Sequence, residues 1–342
     1  MQNNVLVTGG TGFLGIQIIV QLLQKGYNVR TTVRSINSKE KIIEMLKENG
    51  TTSVEQLQFF EADLSKDDNW ETAITDCDYV LSVASPVFVT RPKNEEEAIR
   101  PAVEEISRVL RAARNSGVKR VVMTSNFGSV GFSNKDASIP TTEKDWTKVD
   151  EKGLSIYEKS KLLAEQSAWD FIKNEGGSLE FAAINPVAIF GPSLSAHISG
   201  SFEILQGLLN GSSKRIPNIP LNIVDVRDVA DLHIRAMTSE KANGQRFIAS
   251  AKGQISITEI ASIIKKKRPE AAGKVPSKIL PNGIIRISSL FSRQAKEGVL
   301  LLGMSRNVSN DKAKRVLDWQ PIADNEGIIL ASIDSMIKHH LI

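Results

Sequence analysis

The stretch Thr8-Gly9-Gly10-Thr11-Gly12-Phe13-Leu14-Gly15 stands near the start of the chain and decides its fold class. It follows the apolar run Val5-Leu6-Val7 and leads into an apolar-rich segment that predicts a helix over residues 13–25. Glycines with the spacing G-x-G-x-x-G between a strand and a helix let the backbone turn sharply and approach a pyrophosphate closely. The helix N-terminus then offers free N–H groups and a partial positive charge. The stretch therefore predicts a dinucleotide-binding site rather than a simple structural turn.

Outward from this stretch, short apolar segments alternate with helical ones. Strands are predicted over residues 5–8, 28–33, 57–60, 79–83, 120–125, 179–184, 223–226 and 246–249, and helices over residues 13–25, 38–48, 95–116, 156–174 and 227–238. Such alternation indicates an α/β fold with a parallel sheet that helices cover on both faces. We predict a nucleotide-binding domain at residues 1–185. A smaller substrate-binding part is predicted at residues 186–342, with one or two elements that return to the main sheet.

Composition excludes several classes of protein. The 342 residues are 41% hydrophobic and 24% charged with a net charge of +4, which excludes intrinsic disorder. A single cysteine, Cys77, and four scattered histidines predict no disulfide and no metal site. No run approaches the roughly 18 apolar residues of a membrane span, and no signal peptide is visible, so we expect a cytoplasmic protein with no membrane partner. The charges are dispersed, and the densest run, Lys265-Lys266-Lys267-Arg268, is interpreted as a solvated helix end rather than a nucleic-acid site.

The end of the second predicted strand distinguishes the two nicotinamide cofactors. NAD binding typically uses an acidic residue about 20 residues beyond the glycines, whereas this chain reads Thr31-Thr32-Val33-Arg34-Ser35. Arg34 can pair with a 2′-phosphate, and Lys39 and Lys41 add positive charge nearby. The sequence therefore predicts NADP(H). Asp63, just past the third predicted strand, is placed either to contact adenine or to cap a helix.

Tyr157-Glu158-Lys159-Ser160-Lys161 begins the helix that follows the fifth predicted strand. Residues four apart lie on one helical face, so we expect the Tyr157 phenol and the Lys161 ammonium in the same cleft. A positive charge about 4 Å away contributes roughly 4 kcal/mol at an effective dielectric constant of about 20, or about three pKa units. We therefore expect Lys161 to lower the pKa of Tyr157 towards about 7, and Tyr157 to donate a proton to a carbonyl oxygen.

Together these motifs resemble the extended short-chain dehydrogenases/reductases, and within them the group of dihydroflavonol reductase, cinnamoyl-CoA reductase and methylglyoxal/isovaleraldehyde reductase. Besides the glycine stretch, the resemblance rests on Val33-Arg34-Ser35, Ala62-Asp63-Leu64, Val83-Ala84-Ser85-Pro86, Asn185-Pro186 and residues 119–125, 157–165 and 224–230. It implies a Rossmann-type doubly wound parallel sheet. It also implies an NADPH-dependent carbonyl reductase that runs reversibly as an alcohol dehydrogenase.

The resemblance also implies which residues contact the cofactor. They belong to the glycine stretch, the ends of the second to fifth strands, the helix after the fifth strand and the end of the sixth: Gly9, Thr11, Gly12, Phe13, Leu14, Gly15, Arg34, Lys39, Lys41, Asp63, Leu64, Val83, Ala84, Ser85, Thr124, Tyr157, Lys161, Pro186 and Val187. Lys161 is expected to hold the ribose as well as to act on Tyr157.

One departure from the group's pattern concerns the end of the fifth strand. Family members carry Ser or Thr there, which hydrogen-bonds the substrate carbonyl, whereas this chain has Asn126 at that position after Ser125. Either the Asn126 amide donates to the developing oxyanion, or a local distortion redirects Ser125. The alternation of side chains along a strand favours Asn126. Loss of activity is a third alternative.

In this group the loops after the fourth and fifth strands and the C-terminal part line the substrate pocket. The residues implied here are apolar or aromatic: Pro86, Val87, Phe88, Phe127 and Ile189. No cluster of Lys or Arg marks a diphosphate site, so we expect a small uncharged aldehyde or ketone as substrate, bound by a monomer or homodimer. Two alternatives stay open: a sugar-nucleotide epimerase or dehydratase, and a non-catalytic NADP(H)-binding regulator.

Overall fold

Strands and helices alternate along the first half of the chain, and the computed structural model describes residues 3–85 and 95–342. The strands are β1 (Asn4–Val7), β2 (Asn28–Val33), β3 (Leu57–Glu61), β4 (Tyr79–Ser82), β5 (Arg120–Thr124), β6 (Glu180–Pro186), β7 (Ala188–Phe190), β8 (Ile216–Pro217), β9 (Pro220–Leu221), β10 (Ile223–Asp225), β11 (Gln245–Ala249), β12 (Ile255–Ser256) and β13 (Ile279–Leu280). The helices are α1 (Phe13–Gln24), α2 (Lys39–Glu48), α3 (Trp70–Ile74), α4 (Glu95–Asn115), α5 (Ile156–Glu175), α6 (Glu203–Leu209), α7 (Val226–Thr238), α8 (Ile257–Lys267), α9 (Asn282–Ser288), α10 (Arg293–Gly303), α11 (Asp311–Leu317) and α12 (Asn325–Lys338).

Seven strands form one sheet in the order β11-β6-β5-β4-β1-β2-β3. All of their pairings are parallel. Six of these strands follow the doubly wound order 3-2-1-4-5-6, which confirms the predicted Rossmann-type α/β class. The strand order reverses between β1 and β4, and in such sheets ligands bind in the crevice beyond the carboxyl ends of the strands at that point.

Helices cover both faces of the sheet, as the continuous apolar strands predict. Val5, Leu6 and Val7 of β1 are all fully buried. Val5 and Val7 belong to the core beneath α1 and α7, whereas Leu6 faces the core beneath α3, α4 and α5. Because successive side chains of a strand point to opposite faces, a strand buried on both faces needs apolar residues throughout.

One strand of the second half of the chain completes the main sheet. β11 pairs in parallel with β6, from Gln245 opposite Ala182 to Ala249 opposite Pro186. The sequence predicts one or two such elements from residues 186–342. The division of the chain at residue 185 itself stays a prediction, and it falls one residue before the end of β6.

The second half contains several elements that the alternation pattern does not predict. They include β7, the two-stranded pairs β12-β9 and β13-β8 and the helices α8 to α12, whereas β10, which pairs with β7, matches the strand predicted over residues 223–226. None of the helices formed by residues 3–85 and 95–342 combines the length and the apolar content that crossing a bilayer requires. The same residues hold no cluster of three His, Cys, Asp or Glu side chains that suits a metal ion.

Candidate active site

The glycine stretch forms a tight loop between β1 and α1 that leaves no room for a side chain at Gly9, Gly10 or Gly15. Gly9 has a φ of +74°, and a Cβ atom there would lie 2.8 Å from the Cβ of Ala84. A Cβ on Gly15 would collide with the carbonyl oxygen of Gly9. Gly12 precedes the first turn of α1 and offers no side-chain cap, so the N–H groups of that turn remain suited to an anion. The loop therefore has the shape and polarity of a pyrophosphate cradle.

Thr8 joins this loop to the end of β4. Its Oγ1 accepts hydrogen bonds from the backbone N–H groups of Val83 and Ala84, both at 2.9 Å. On the other side, the N–H of Gly9 donates to Oγ1 of Thr32 at 3.2 Å. These contacts fix the glycine loop between β2 and β4, at the point where the strand order reverses. The sequence motif contains Thr8, but its spacing alone does not predict this bracing role.

Positive side chains stand at the end of β2, where the sequence predicts the adenosine phosphate. Arg34, Lys39 and Lys41 are exposed, and within residues 3–85 and 95–342 they form no ion pair. Hydrogen bonds from Ser65 lower the pKa of Asp63, and the charge of Arg34 contributes to the same shift. Arg34 and Asp63 therefore lie near each other at the ends of β2 and β3. This arrangement fits a cofactor that carries a phosphate on its adenosine ribose.

Lys161 projects from α5 to the end of β5. Its Nζ donates to the carbonyl oxygen of Thr124 at 3.3 Å, and the side chain is buried. Burial lowers the pKa of Lys161, and the negative charges of Glu105 and Glu165 oppose this shift. The positive charge of Lys161 is therefore balanced in part by the carboxylates of Glu105 and Glu165.

Tyr157 lies one helical turn before Lys161, but its ionisation differs from the expectation. The residue remains 49% exposed. The surrounding protein nevertheless raises the pKa of Tyr157 to about 12, and the negative charge of Glu158 adds to the effect. The predicted lowering towards neutrality is therefore wrong for the chain by itself. The reason is that the loss of water around the phenol and the negative charge of Glu158 both favour the neutral phenol.

The Ser125 side chain takes part in a buried hydrogen-bond network around Glu165. Its hydroxyl donates to Oε2 of Glu165 at 2.5 Å, and only 2% of the residue is exposed. The same Oε2 accepts from Nδ2 of Asn185 at 2.8 Å, while Oε1 accepts from Nε of Arg246 at 2.6 Å. A charge-assisted bond to a buried, paired carboxylate is strong, so the hydroxyl of Ser125 has a fixed direction.

Asn126 presents a donor at the end of β5. Its Oδ1 accepts from the backbone N–H of Ser129 at 3.1 Å, which caps the short 3-10 helix Phe127–Ser129. Because an N–H can only donate, the atom that faces it must be the amide oxygen, and the orientation of the amide is fixed. Nδ2 then has no hydrogen-bond partner within the described part of the chain. Of the two candidates, Asn126 is the one with an uncommitted donor.

A close contact brings this segment against the start of α5. A Cβ atom on Gly128 would lie 2.6 Å from Cγ of Glu158 and 3.1 Å from Oδ1 of Asn126. Only glycine therefore allows the turn after β5 to reach the first turn of α5. That first turn is fixed in its own right, since Oγ of Ser155 accepts from the N–H of Glu158. The turn that carries Asn126 therefore packs against the first turn of α5, which contains Tyr157.

His233 of α7 is hydrogen-bonded to Thr124 at the end of β5. The sequence does not predict this contact. Burial lowers the pKa of His233 to about 4, so the ring is neutral. Its Nδ1 bonds the carbonyl oxygen of Val229 at 2.8 Å and must carry the proton, which leaves Nε2 to accept from the Thr124 hydroxyl at 2.8 Å. Thr124 thus joins His233 to Lys161. No spacing rule connects these residues, because they are distant in sequence.

The remaining residues predicted to contact the cofactor or the substrate differ in how deeply they are buried. Five of them are half-buried: Val83, Ala84, Ser85, Leu64 and Ile189. Two are buried, Pro186 and Val187, and Thr11 is exposed. Phe127 is 4% exposed and its ring packs against Phe132 at 6.3 Å, so it belongs to the core beside the site. Pro86, Val87 and Phe88 lie outside the described residues.

The chain matches the 3-beta hydroxysteroid dehydrogenase/isomerase family over residues 6–255. This protein is a member of that family. Membership confirms the predicted resemblance to extended short-chain dehydrogenases/reductases and the predicted oxidoreductase class. Among curated relatives, tetraketide alpha-pyrone reductase 1 of Arabidopsis thaliana is 34% identical over 273 residues, which cover 78% of this chain and 82% of the relative.

Solved structures of other family members resemble this chain over its whole length. The yeast methylglyoxal/isovaleraldehyde reductase in complex with NADPH has a TM-score of 0.80 at 26% identity, covering 98% of this chain and 99% of its own. Gre2 of Candida albicans in complex with NADPH has a TM-score of 0.79 at 28% identity, covering 99% of each chain. The cofactor in both complexes is the one that the sequence of this family member predicts.

Proposed function

We propose that this protein is an NADPH-dependent reductase of small uncharged aldehydes and ketones that also runs in reverse as an alcohol dehydrogenase. The observation that carries the proposal is the contact of Lys161 with Thr124 at the end of β5, because it relates three groups: Asn126 follows Thr124 by two residues, and Tyr157 precedes Lys161 by one helical turn. The three groups are the Tyr157 phenol, the buried Lys161 ammonium and the uncommitted amide of Asn126. A phenol, an ammonium group and an amide donor together suit a reaction in which negative charge develops on an oxygen atom.

In this proposal the chain supplies a proton and stabilises the developing charge, and bound NADPH supplies the hydride. Tyr157 donates its proton to the carbonyl oxygen, and its raised pKa keeps the phenol protonated at neutral pH. The transfer is favourable because an alkoxide is a much stronger base than a phenolate. Asn126 donates from Nδ2 to the same oxygen. Lys161, held against Thr124, keeps a positive charge close to the phenolate that remains.

The charges around the cleft support an uncharged substrate. Burial, together with the negative charge of Glu297, raises the pKa of Glu158 to about 7. The first turn of α5 is therefore flanked by carboxyl groups, which disfavour a diphosphate. This observation favours the carbonyl reductase over a sugar-nucleotide epimerase or dehydratase.

The test is the oxidation of NADPH with a panel of aliphatic and aromatic aldehydes and ketones. Tyr157→Phe removes only the ionisable hydroxyl and is expected to lower kcat by about a hundredfold or more. Tyr27→Phe is the matched control, because Tyr27 follows α1 away from the cleft, and it should retain activity. Binding of NADPH without turnover of any carbonyl, or equal activity of Tyr157→Phe and the wild type, contradicts the proposal.

A further inference from the structure

Glu105 is a buried carboxyl group on α4 whose position is unusual for a glutamate. Only 4% of it is exposed. Its neighbour Glu104 points outward and forms an exposed pair with Arg100 at 3.8 Å, which is the ordinary place for glutamate on a surface helix. A buried carboxyl group without a nearby positive charge is costly, so the surroundings of Glu105 must compensate it.

A small cavity joins Glu105 to Lys161. It has a volume of about 10 Å³, and its lining includes Glu105, Lys161, Ser82, Ser85 and Thr124. That volume is close to what a single water molecule needs, and the lining supplies several polar partners. The two charged groups make no direct ion pair within the part of the chain that the structure describes, so a hydrogen-bonded connection between them requires a bridging molecule.

The other charged groups around this cavity already have partners. Glu165, the second carboxylate near Lys161, is paired with Arg246 through Nε at 2.6 Å. Arg108, which also faces Glu105, donates to Asp67 and to the carbonyl oxygen of Leu64. The strands β4 and β5 contribute Ser82, Met123 and Thr124 to the lining, all uncharged. Glu105 is therefore the carboxyl group available to balance Lys161.

We propose that Glu105 is a positioning residue for Lys161: through one water in the cavity it holds the lysine in its ammonium form and exchanges protons with it. In each exchange the carboxyl group gives a proton to the water while the water gives one of its own to the amine. The net result is the transfer of one proton from Glu105 to Lys161, and nothing is oxidised or reduced. The inference rests on the proposed role of Lys161 in the reductase.

The direction of the pKa shifts agrees with this exchange. Burial raises the pKa of Glu105 to about 8, and the charge of Lys161 opposes that increase. Burial lowers the pKa of Lys161, and the charge of Glu105 opposes that decrease. Each group therefore stabilises the charged form of the other, and removal of the Glu105 charge should let Lys161 lose its proton at a lower pH.

The decisive variant is Glu105→Gln, which keeps the size of the side chain and removes its charge. The alkaline limb of the kcat/KM–pH profile should move to lower pH by about one unit. Glu105→Asp, which restores a carboxyl group, should recover part of that shift. Glu104→Gln removes a charge one position away on the outer face of α4 and should leave the profile unchanged.

A second readout does not require turnover. The NADPH dissociation constant, followed by quenching of tryptophan fluorescence, should rise at a lower pH in Glu105→Gln than in the wild type. Superimposable activity profiles and superimposable binding profiles for wild type and Glu105→Gln would overturn the role of Glu105. A wild type that binds NADPH but reduces no carbonyl would overturn the proposed function, while the binding profiles still decide on Glu105. Should Glu105→Gln fail to fold, the Glu105→Asp profile decides, because a structural role predicts no shift in pH.

Discussion

The hydroxyl of Ser125 donates a 2.5 Å hydrogen bond to the carboxylate of Glu165, deep beneath the cleft. Because Arg246 and Asn185 hold that carboxylate in place, turning Ser125 towards a substrate would leave a buried charge short of a donor. The Nδ2 group of the neighbouring Asn126, in contrast, has no hydrogen-bond partner within the described residues. This relationship supports Asn126 as the donor in the position that the family fills with Ser or Thr.

Asn126→Ala should therefore lower kcat/KM for a carbonyl substrate by about a hundredfold, which is typical of a lost oxyanion donor. Asn126→Ser, which restores the hydroxyl of the family pattern, should retain most of the activity. Ser125→Ala should instead reduce the free energy of unfolding by about 1–3 kcal/mol with a smaller kinetic effect. Steady-state kinetics and urea unfolding separate these outcomes, and a larger kinetic loss in Ser125→Ala than in Asn126→Ala contradicts the assignment.

Arg34→Asp should weaken NADPH much more than NADH, because it removes a charge-assisted pair and places a negative charge near the 2′-phosphate. A loss of about tenfold or more in NADPH affinity is expected, measured as the ratio of the two dissociation constants. Lys47→Asp makes the same change in charge near the other end of α2, about 12 Å along the helix from Lys39. If both variants change the ratio equally, general surface charge rather than a specific contact determines the preference.

Gly9→Ala should abolish tight NADPH binding and destabilise the fold. A left-handed alanine costs about 1–2 kcal/mol, and the contact of its Cβ with Ala84 at 2.8 Å adds about 1–3 kcal/mol. Gly253→Ala is the matched control, since Gly253 has a φ of +78° and open space around its Cβ position. It should show only the backbone cost and normal NADPH affinity. Equal destabilisation of the two variants would mean that the contact with Ala84 relaxes without cost.

The neutral ring of His233 makes the stability of the fold depend on pH. Burial lowers its pKa to about 4, so between about pH 6.5 and pH 4 the unfolded chain binds a proton that the folded chain does not. Stability is lost as pH falls through that window, by about 3 kcal/mol in total. His233→Gln should lack this part of the pH dependence, whereas His197→Gln, at an exposed position, should keep it. Parallel urea midpoints for wild type and His233→Gln across the window would contradict the assignment.

Local patterns predict the first half of the chain closely. The helix predicted over residues 156–174 is observed as Ile156–Glu175, and the strand over 28–33 is observed as Asn28–Val33. The helix is long, and the strand is rich in β-branched residues, so each has a clear local signal. Short strands such as Ile216–Pro217 and Ile279–Leu280 have no such signal, because two residues show no periodicity.

The chemistry of the site is less predictable than its location. The spacing of Tyr157 and Lys161 places them on one face of α5, but the pKa of Tyr157 depends on charges that the spacing does not show. Glu105, whose charge acts on Lys161, lies on α4, a separate helix that packs against α5. Arg246 reaches Glu165 from β11, which is far along the chain. Such contacts depend on tertiary packing, and no local pattern contains them.

The pairing of β11 with β6 affects how the chain can be divided and synthesised. A fragment that ends at residue 185 would expose the backbone edge of β6 over residues 182–185, which β11 normally covers. Open edges of this kind recruit strands from other molecules, so the fragment should aggregate rather than fold. During translation, too, the sheet stays incomplete until residue 249 has left the ribosome. We therefore expect residues 1–185 not to fold on their own, and a truncated form of this protein should extend at least to the end of β11.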